Sequence, residues 1–505
     1  MIEFLLHNER ITLTDIDPNT TVLQFLRVHK KLTGTKEGCA SGDCGACTIC
    51  LVELDDNNQL HYKTVNACIT LVSALQGKQL ISIEALKQTQ LHSTQQAMVD
   101  NDGSQCGFCT PGFVMSLFGL QKNHDHFNRH QTHQALAGNL CRCTGYRAIE
   151  NAAKQMFEQP VVDHFDPLEE SVQQQLAQIS LNTQRDSAML ALNDNYCHLP
   201  KDSDTLAHLL INNPQSTLIA GGTDLSLAIT QHNTRFSQLI ALSHVKELHQ
   251  YTITDHQIEI GAALSLTKCQ QLFQHTIPEF AALLDRFASL QIRNQGSLGG
   301  NIANASPIGD TPPALIALGA SLVLRRGDSR RCIKVEDFFV DYRKTVLESS
   351  EFIEKILIPI PKQPYLFKIY KVSKRLDDDI SAISAACLLR FENEEIDQKE
   401  DEGKGIEGKQ KIKKICLAFG GMAAIAKRAS YTEQALENQH WDLIAVNNAQ
   451  PALEQDFSPL SDFRASSDYR MQVAKNLLHK LWIETPLAAN NGDELTAKTR
   501  ISDYV

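Results

Sequence analysis

The sequence lacks any apolar stretch that approaches the roughly 18 residues needed to cross a bilayer. It also lacks an excess of basic residues, since 48 Lys and Arg stand against 59 Asp and Glu, a formal net charge of -11 at pH 7. A nucleic-acid partner requires a basic stripe that replaces phosphate counterions. The sequence therefore predicts neither a membrane-spanning segment nor a nucleic-acid partner.

The N-terminus lacks the basic segment, long apolar region and small-residue cleavage site of a secretion signal. We therefore expect a cytoplasmic protein. Fourteen cysteines are present, and nine of them lie within the first 143 residues in close pairs and triplets. In a reducing compartment this crowding favours metal ligation over disulfide bridges.

The first cysteine set has C-x4-C-x2-C spacing with a fourth thiolate downstream, as in plant-type two-iron two-sulfur ferredoxins. Its members are Cys39, Cys44, Cys47 and Cys68. Three glycines of this loop, Gly38, Gly42 and Gly45, are expected to adopt positive φ so that the backbone curls and aims amide groups at the sulfurs. The alternative is a zinc knuckle, which three cysteines in one glycine-rich loop fit poorly.

A second cysteine set combines a C-x2-C pair with a C-x-C pair. Its members are Cys106, Cys109, Cys141 and Cys143. Thr110-Pro111 after the first pair and Thr144-Gly145-Tyr146 after the second predict that both pairs lie at helix starts. Helix N-termini stabilise thiolates through their free amides and positive potential. We therefore predict a second cluster in a helical domain, with zinc again as the alternative.

Two glycine-rich segments further along the chain are typical of phosphate binding. Thr217–Leu225 is a short apolar strand that runs into paired glycines, which let backbone amides approach a pyrophosphate. Alone this signal is weak, because Gly-Gly after a strand is more often a turn, and the segment is not G-x-G-x-x-G. Gln291–Ile302 adds a second polar, glycine-rich loop, and Asp310 offers a carboxylate suited to ribose hydroxyls.

These motifs together resemble the molybdenum hydroxylases, the family of xanthine dehydrogenase and aldehyde oxidase. Gln105–Gly112 and Asn139–Tyr146 look like the second iron–sulfur domain of that family, and both glycine-rich loops are similar to its FAD-binding domain. The resemblance covers nearly the whole chain. It implies two [2Fe-2S] clusters and FAD in this chain, NAD as the acceptor, and a partner's molybdopterin that Gln105 and Cys143 face.

The resemblance also implies roles for single residues. No catalytic residue is certain, but Tyr342 and Asp378 are candidates for the acceptor site beside the flavin. Without the resemblance, the run Asp377–Asp379 is equally well explained as a solvated acidic turn. The FAD contacts implied by the resemblance are Leu218, Ile219, Ala220, Gly221, Gly222, Thr223, Asp224, Leu225, Phe287, Ser297, Gly300, Asn301, Asp310, Ile353 and Lys371.

At 505 residues the chain is too long for a single hydrophobic core, so we expect several domains. The predicted fold class is multidomain α+β. The predicted parts are a β-grasp ferredoxin domain at 1–84, a helical two-iron two-sulfur domain at 85–158, a linker at 159–190, an α/β FAD-binding domain at 191–370, and a small α/β C-terminal domain at 371–505 with a mobile loop at 392–414.

The chain stops where the large molybdenum domain of the family would begin. By resemblance we expect the iron–sulfur and flavin subunit of a split enzyme of the xanthine dehydrogenase type. Its partner would be a separate molybdopterin-binding large subunit, in a heterotetramer of two small and two large subunits. Electrons from hypoxanthine or xanthine would pass through both clusters to FAD and on to NAD, and urate would be formed. The alternative is the same subunit of an aldehyde or N-heterocycle hydroxylase.

Overall fold

The computed structural model describes residues 1–158, 163–185, 188–362, 365–392 and 410–485. Strands in these ranges form two five-stranded sheets, two four-stranded sheets and one two-stranded ribbon. Helices pack on the larger sheets, so the predicted multidomain α+β class is confirmed. Within the same ranges, no helix combines the length and the apolar character that crossing a bilayer requires.

The first domain is built on a five-stranded sheet that carries one short helix. Its elements are β1 (Ile2–Leu6), β2 (Glu9–Leu13), α1 (Val22–Gln24), β3 (Thr48–Leu54), β4 (Leu60–Asn66) and β5 (Gln79–Ile81). The strand order is β2-β1-β5-β3-β4, with β1 parallel to β5. Phe25, directly after α1, packs edge-on against Phe4 of β1 with ring centroids 5.7 Å apart. This is the predicted β-grasp arrangement.

The second domain is helical, as predicted. Its helices are α2 (Ser93–Asp100), α3 (Thr110–Asn123), α4 (Arg129–Leu136) and α5 (Arg147–Gln155). Helix α3 begins with Pro111 in its first turn and buries Phe113 and Phe118. These rings share one apolar cluster with Cys50 and Tyr62 of the first domain. The two domains therefore have a common core, which fixes them against each other.

The predicted linker at 159–190 contains a helix that the sequence did not indicate, α6 (Glu169–Arg185). Val172, Leu176 and Ile179 recur at helical spacing and pack against Leu5 of β1. Three apolar residues in a run of glutamines are enough to bury one stripe of a helix. Residues 159–162 and 186–187 lie outside the described ranges.

The next domain begins with a four-stranded sheet in the order β6-β7-β9-β8. Its elements are β6 (Ala188–Leu192), β7 (Asn195–Leu199), α7 (Ser203–Asn212), β8 (Thr217–Ile219), α8 (Leu225–His232) and β9 (Gln238–Ala241). Strands β8 and β9 are parallel. The paired glycines therefore lie between the carboxyl end of β8 and the N-terminus of α8.

The same domain continues with a second lobe around a five-stranded sheet. Its helices are α9 (Leu266–Thr276), α10 (Pro278–Asp285), α11 (Leu290–Arg293), α12 (Leu298–Ala303) and α13 (Thr311–Ala317). Its strands are β10 (Tyr251–Ile253), β11 (Gln257–Gly261), β12 (Ser321–Arg326), β13 (Ser329–Lys334), β14 (Phe339–Asp341), β15 (Lys344–Thr345) and β16 (Phe352–Pro359). The sheet order is β10-β11-β16-β12-β13, and β14 with β15 forms the separate ribbon.

The C-terminal domain packs helices on a four-stranded antiparallel sheet. Its elements are β17 (Leu366–Val372), β18 (Ile383–Phe391), β19 (Ile412–Gly420), β20 (Lys427–Arg428), α14 (Ser430–Leu436), α15 (Leu443–Ala449), α16 (Leu453–Asp456) and α17 (Ser467–Glu484). Because β17 pairs with β18 along its whole length, the predicted boundary at 370/371 is wrong and lies before Leu366.

The predicted loop at 392–414 is also too long at its C-terminal end. Ile412 is buried and pairs with Phe391, so β19 begins inside the expected loop. A single buried isoleucine among lysines carries little signal in the sequence, because the strand side chains between it and the next apolar residue face solvent. The central part of this predicted loop, 393–409, lies outside the described residues.

Candidate iron–sulfur and flavin sites

The four cysteines of the first set converge. Cys47 and Cys68 are buried, and their sulfurs lie 3.2 Å apart. The Cys39 thiol is within hydrogen-bonding reach of the thiols of Cys44 and Cys68. Four thiols from one loop and one following turn therefore face a common point, which fits the donor set of a two-iron cluster.

The backbone of this loop differs from the sequence prediction at one glycine. Gly42 and Gly45 have φ of +84° and +66°, as predicted, whereas the predicted positive φ of Gly38 is wrong. Gly38 is instead required by space, because a Cβ there would lie 2.7 Å from the Cys44 sulfur. The amide of Ser41 donates to the Cys39 sulfur at 3.4 Å, which agrees with amides aimed at the thiolates.

The second set also brings its thiols together. The Cys109 thiol lies within hydrogen-bonding reach of Cys141, and the Cys143 thiol lies within reach of Cys106. The amide of Thr144 donates to the Cys141 sulfur at 3.3 Å. Cys106 and Cys143 are exposed, so one side of this set faces outward.

Only one pair of the second set lies at a helix start. Cys109 directly precedes α3, whereas the C-x-C pair lies in a loop that ends at Tyr146, and α5 begins after it. Tyr146 has φ of 66° and its hydroxyl both accepts from the Cys141 amide and donates to the Cys141 carbonyl, each at 2.9 Å. A side-chain clamp, rather than a helix N-terminus, therefore fixes this loop.

A cavity of about 470 Å³ lies where the two glycine-rich segments meet. The paired-glycine loop approaches the other segment so closely that a Cβ on Gly221 would lie 1.8 Å from the Gln295 carbonyl oxygen. Ser297 caps α12 by accepting from the Gly300 amide at 3.0 Å. The predicted FAD residues that line the cavity are Leu218, Ile219, Ala220, Gly221, Gly222, Thr223, Asp224, Leu225, Phe287, Ser297, Gly300 and Asn301.

Other residues line the cavity without having been predicted. Ile292 and Asn304 are the clearest cases. Asn304 follows α12 directly, so the helix that carries the predicted Gly300 and Asn301 also brings Asn304 to the cavity. Ile292 lies on α11, whose short apolar pattern gives no binding signal in the sequence.

Three predicted FAD residues do not line this cavity. Lys371 Nζ lies 2.6 Å from Asp310 Oδ2, and both side chains are buried. The Ser381 hydroxyl donates to the other Asp310 oxygen at 2.5 Å. Asp310 is therefore engaged in a buried ion pair, and its contact with ribose hydroxyls stays a prediction. Ile353 is a buried residue of β16 and pairs with Leu324 of β12.

The candidate acceptor residues lie on two different segments. Tyr342 is exposed in the turn of the β14–β15 ribbon, and the neighbouring Arg343 lies 3.7 Å from Asp224 of the cavity. Asp378 is half-buried with φ of 46°. Burial, followed by the negative charge of Asp43, raises the pKa of the Asp378 carboxyl to about 6.

The acidic run forms a hydrogen-bonded turn whose three aspartates are half-buried. The Asp379 carboxylate accepts from the amide of Arg375 at 2.8 Å and from the amide of Ile380 at 3.0 Å. Asp43 lies in the first cysteine loop, so its effect on Asp378 places this turn near that loop. The run therefore lies in the neighbourhood of the first cysteine set.

The first cysteine set contacts both the second cysteine loop and the flavin domain. On one side, the amide of Leu140 donates to the carbonyl of Cys44 at 3.0 Å. On the other side, the side-chain amide nitrogen of Gln231 in α8 donates to the carbonyls of Cys39 and Ala40 at 3.1 and 2.9 Å. Hydrogen bonds thus join the first cysteine loop to the loop of the second set and to the flavin domain.

Comparison with known proteins identifies four domain families in consecutive stretches. The iron–sulfur pair consists of a 2Fe-2S iron–sulfur cluster binding domain at 5–73 and a [2Fe-2S] binding domain at 82–154. The flavin pair consists of an FAD binding domain in molybdopterin dehydrogenase at 190–361 and a CO dehydrogenase flavoprotein C-terminal domain at 368–485. Both cysteine domains match [2Fe-2S] families, which favours iron–sulfur clusters over zinc sites.

Two similar proteins cover most of this chain. Xanthine dehydrogenase of Emericella nidulans is 32% identical over 90% of this chain and 36% of its own length. Xanthine dehydrogenase/oxidase of Gallus gallus is 27% identical over 90% of this chain and 38% of its own length. A carbon monoxide dehydrogenase structure from Hydrogenophaga pseudoflava matches with a TM-score of 0.50 and 25% identity, over 56% of this chain and 94% of that one. The chain thus spans a little over a third of the length of the two xanthine dehydrogenase relatives.

Proposed function

Because this chain belongs to the xanthine dehydrogenase family of molybdenum hydroxylases, we propose that it carries electrons from a molybdopterin-binding partner to NAD. The observation that supports this proposal is that the first cysteine loop is hydrogen-bonded both to the loop of the second set and to the domain that carries the glycine-lined cavity. The oxidised substrate is hypoxanthine or xanthine, and the product is urate.

Each site of this chain has residues suited to its group. The first set would hold one [2Fe-2S] cluster and the second set the other, while the amides around Gly221 and Gly300 would hold the FAD phosphates. When bound, these groups carry the redox chemistry, and the protein supplies their placement and electrostatics. The chain's own contribution is the set of backbone and side-chain hydrogen bonds that fixes the three sites next to one another.

The partner would dock on the exposed side of the second cysteine set. Cys106 and Cys143 are open there, and the apolar side chains of Phe108, Leu140 and Tyr146 are also exposed around them. An exposed apolar group beside a redox site is typical of a protein interface. We propose that a separate molybdopterin-binding large subunit covers this face, in an assembly of two small and two large subunits.

The acceptor NAD would bind beside the flavin, where the Asp378 turn and the Tyr342 ribbon are candidates for contact. The Asp378 carboxyl offers a hydrogen-bond acceptor to the polar groups of the dinucleotide. A carboxylate at this position also favours a cationic nicotinamide.

Substrate assays of the complex with its partner test this function. We expect xanthine and hypoxanthine to reduce NAD, and we expect the purified chain alone to oxidise neither purine. The alternative of an aldehyde or N-heterocycle hydroxylase would be favoured if the complex oxidised those compounds and not purines. Xanthine turnover by the chain without a partner would contradict the split arrangement.

A further inference from the structure

A short helix of the flavin domain enters the space between the two iron–sulfur domains. This helix, α11, carries Gln291 and Arg293, whose exposed fractions are 0% and 2%. Glutamine and arginine are rarely buried so completely, because removing their polar groups from water costs free energy unless hydrogen bonds replace the lost contacts. The partners of these two side chains therefore indicate what their burial achieves.

Gln291 binds the second iron–sulfur domain. Its amide nitrogen donates to the Ser116 hydroxyl at 3.0 Å, to Asn139 Oδ1 at 3.1 Å and to the Ala135 carbonyl at 3.4 Å. The Ser116 hydroxyl in turn donates to Asn139 Oδ1 at 2.6 Å. The fit is close, because a Cβ on Gly138 would lie 2.3 Å from Gln291 Oε1. Gln291 thus fixes the orientation of the Asn139 side chain.

Asn139 passes this constraint to the first cysteine loop. Its amide nitrogen donates to the Gly45 carbonyl at 3.0 Å. The next residue, Leu140, donates its backbone amide to the Cys44 carbonyl at 3.0 Å, and Cys141 follows directly. One hydrogen bond and one peptide unit therefore connect Cys44 of the first set with Cys141 of the second.

Arg293 anchors the same helix to the flavin-domain cavity. Its guanidinium donates to the carbonyls of Phe287 and Ala288 at 2.9 and 2.8 Å, and both residues line the cavity. It also donates to Gln134 Oε1 of α4 at 2.6 Å. Helix α11 is therefore joined to the cavity and to both cysteine loops at once.

We propose that Gln291 is a positioning residue through which the flavin domain holds the two clusters in register. It touches neither cysteine set, and it acts through Asn139 on the contact between Leu140 and Cys44. Gln291 Oε1 has no hydrogen-bond partner in the described part of the chain, so the hydrogen bonds that its amide nitrogen donates carry the constraint on Asn139. The proposal rests on the proposed electron-transfer function, because it assigns a purpose to the contact between the two sets.

The test is Gln291→Met, which keeps the volume of the side chain and removes its donors. In the full chain loaded with its cofactors, we expect the Leu140 amide to exchange with solvent about tenfold faster. We also expect electron paramagnetic resonance to show a weaker magnetic interaction between the two reduced clusters. The g values of each cluster and the iron content should stay unchanged, which separates positioning from general damage.

Gln295→Met is the matched control. Gln295 accepts a hydrogen bond from the Thr70 hydroxyl at 3.0 Å, so this variant also loses a bond between the flavin domain and an iron–sulfur domain. It does not touch Asn139, and both readings should stay at wild-type values. If Gln291→Met does not fold, Ser116→Ala removes the hydroxyl that Gln291 and Asn139 share and should move both readings in the same direction.

Wild-type exchange at Leu140 and wild-type cluster interaction in the foldable variant would overturn the proposal. That outcome differs from failure of the proposed function. If the proposed function failed, the wild-type chain would show no iron–sulfur signals. Amide exchange at Leu140 would still report on the effect of Gln291.

Discussion

Single residues determine whether the sites of this chain work, and the structure separates ligand candidates from residues that only pack. The eight clustered cysteines were predictable because thiolate spacing is a local property of the sequence. Asp310 and Lys371 show the limit of that approach. They lie 61 residues apart in the sequence, and only the fold shows that they neutralise each other in a buried pair. The roles of the remaining residues stay predictions.

Cys44→Ser should remove the first cluster while flavin binding persists. A serine oxygen is a poor donor for iron that prefers soft thiolates, and Cys44 lies outside the flavin cavity. Iron analysis and electron paramagnetic resonance should show one cluster remaining, and the partner should reduce FAD more slowly. Cys332→Ser, the same change at an exposed cysteine of β13, should retain both clusters. Unchanged reduction of FAD in Cys44→Ser would argue against a path through this set.

Asp378 should make the use of NAD depend on pH. Its pKa of about 6 means that the carboxylate is ionised at neutral pH and becomes protonated as pH falls through about 6. Asp378→Ala should raise the KM for NAD about tenfold or more at pH 7.5, since a charge-assisted hydrogen bond is lost. The difference should shrink below pH 6. An NAD KM that does not change on substitution would count against this acceptor site.

The same pKa predicts a stability effect with a defined sign. The pKa of Asp378 is raised in the folded chain, so its contribution to stability is fully present below about pH 4 and is lost as pH rises through about 6. Asp378→Asn, which tolerates the left-handed backbone, should therefore raise the melting temperature at pH 7.5 and not at pH 4. A melting temperature at pH 7.5 equal to or below the wild-type value would contradict this assignment.

At the scale of elements, the sequence predicted sheets and long helices well and boundaries poorly. Helix α3 was evident from Pro111 and its dense apolar face. Helix α6 was missed, because glutamine-rich composition hides the stripe of Val172, Leu176 and Ile179. The start of β19 was missed because Ile412 is isolated among lysines. In both cases a tertiary partner, rather than local composition, decides the structure.

Leu176→Ala should loosen helix α6 from the first domain. Leu176 is 1% exposed and packs against Leu5, and removing such a buried side chain typically costs about 2–5 kcal/mol. Hydrogen exchange of peptides within 169–181 should accelerate strongly. Leu181→Ala, the same change at an exposed position of this helix, should have little effect. Equal exchange in the two variants would show that the packing of α6 contributes little.

At the scale of the whole molecule, the domains share cores and polar contacts, so their order along the chain becomes a spatial order of sites. The first and second domains bury one apolar cluster, and α11 of the flavin domain reaches both cysteine loops. The sequence resemblance predicts which domains occur. It does not predict the contacts between the domains, because the hydrogen bond between Gln291 and Asn139 forms only when the domains are assembled.

The exposed side of the second cysteine set should be where the partner binds. Phe108→Ser should weaken binding of the molybdopterin-binding subunit by about tenfold or more, since exposed aromatic side chains often carry much of an interface's affinity. Phe463→Ser, the same change at an exposed phenylalanine of the C-terminal domain, should leave the dissociation constant unchanged. Equal affinity for both variants would place the interface elsewhere.

The most direct test of the relay is a titration of the purified, cofactor-loaded chain with NADH, followed by visible absorption and electron paramagnetic resonance. The proposed path predicts that the flavin absorption bleaches and that two distinct [2Fe-2S] signals appear without any partner. A colourless protein with bound zinc would contradict the account. So would a chain whose flavin is reduced while both intact clusters stay oxidised, because the three sites would then not be connected.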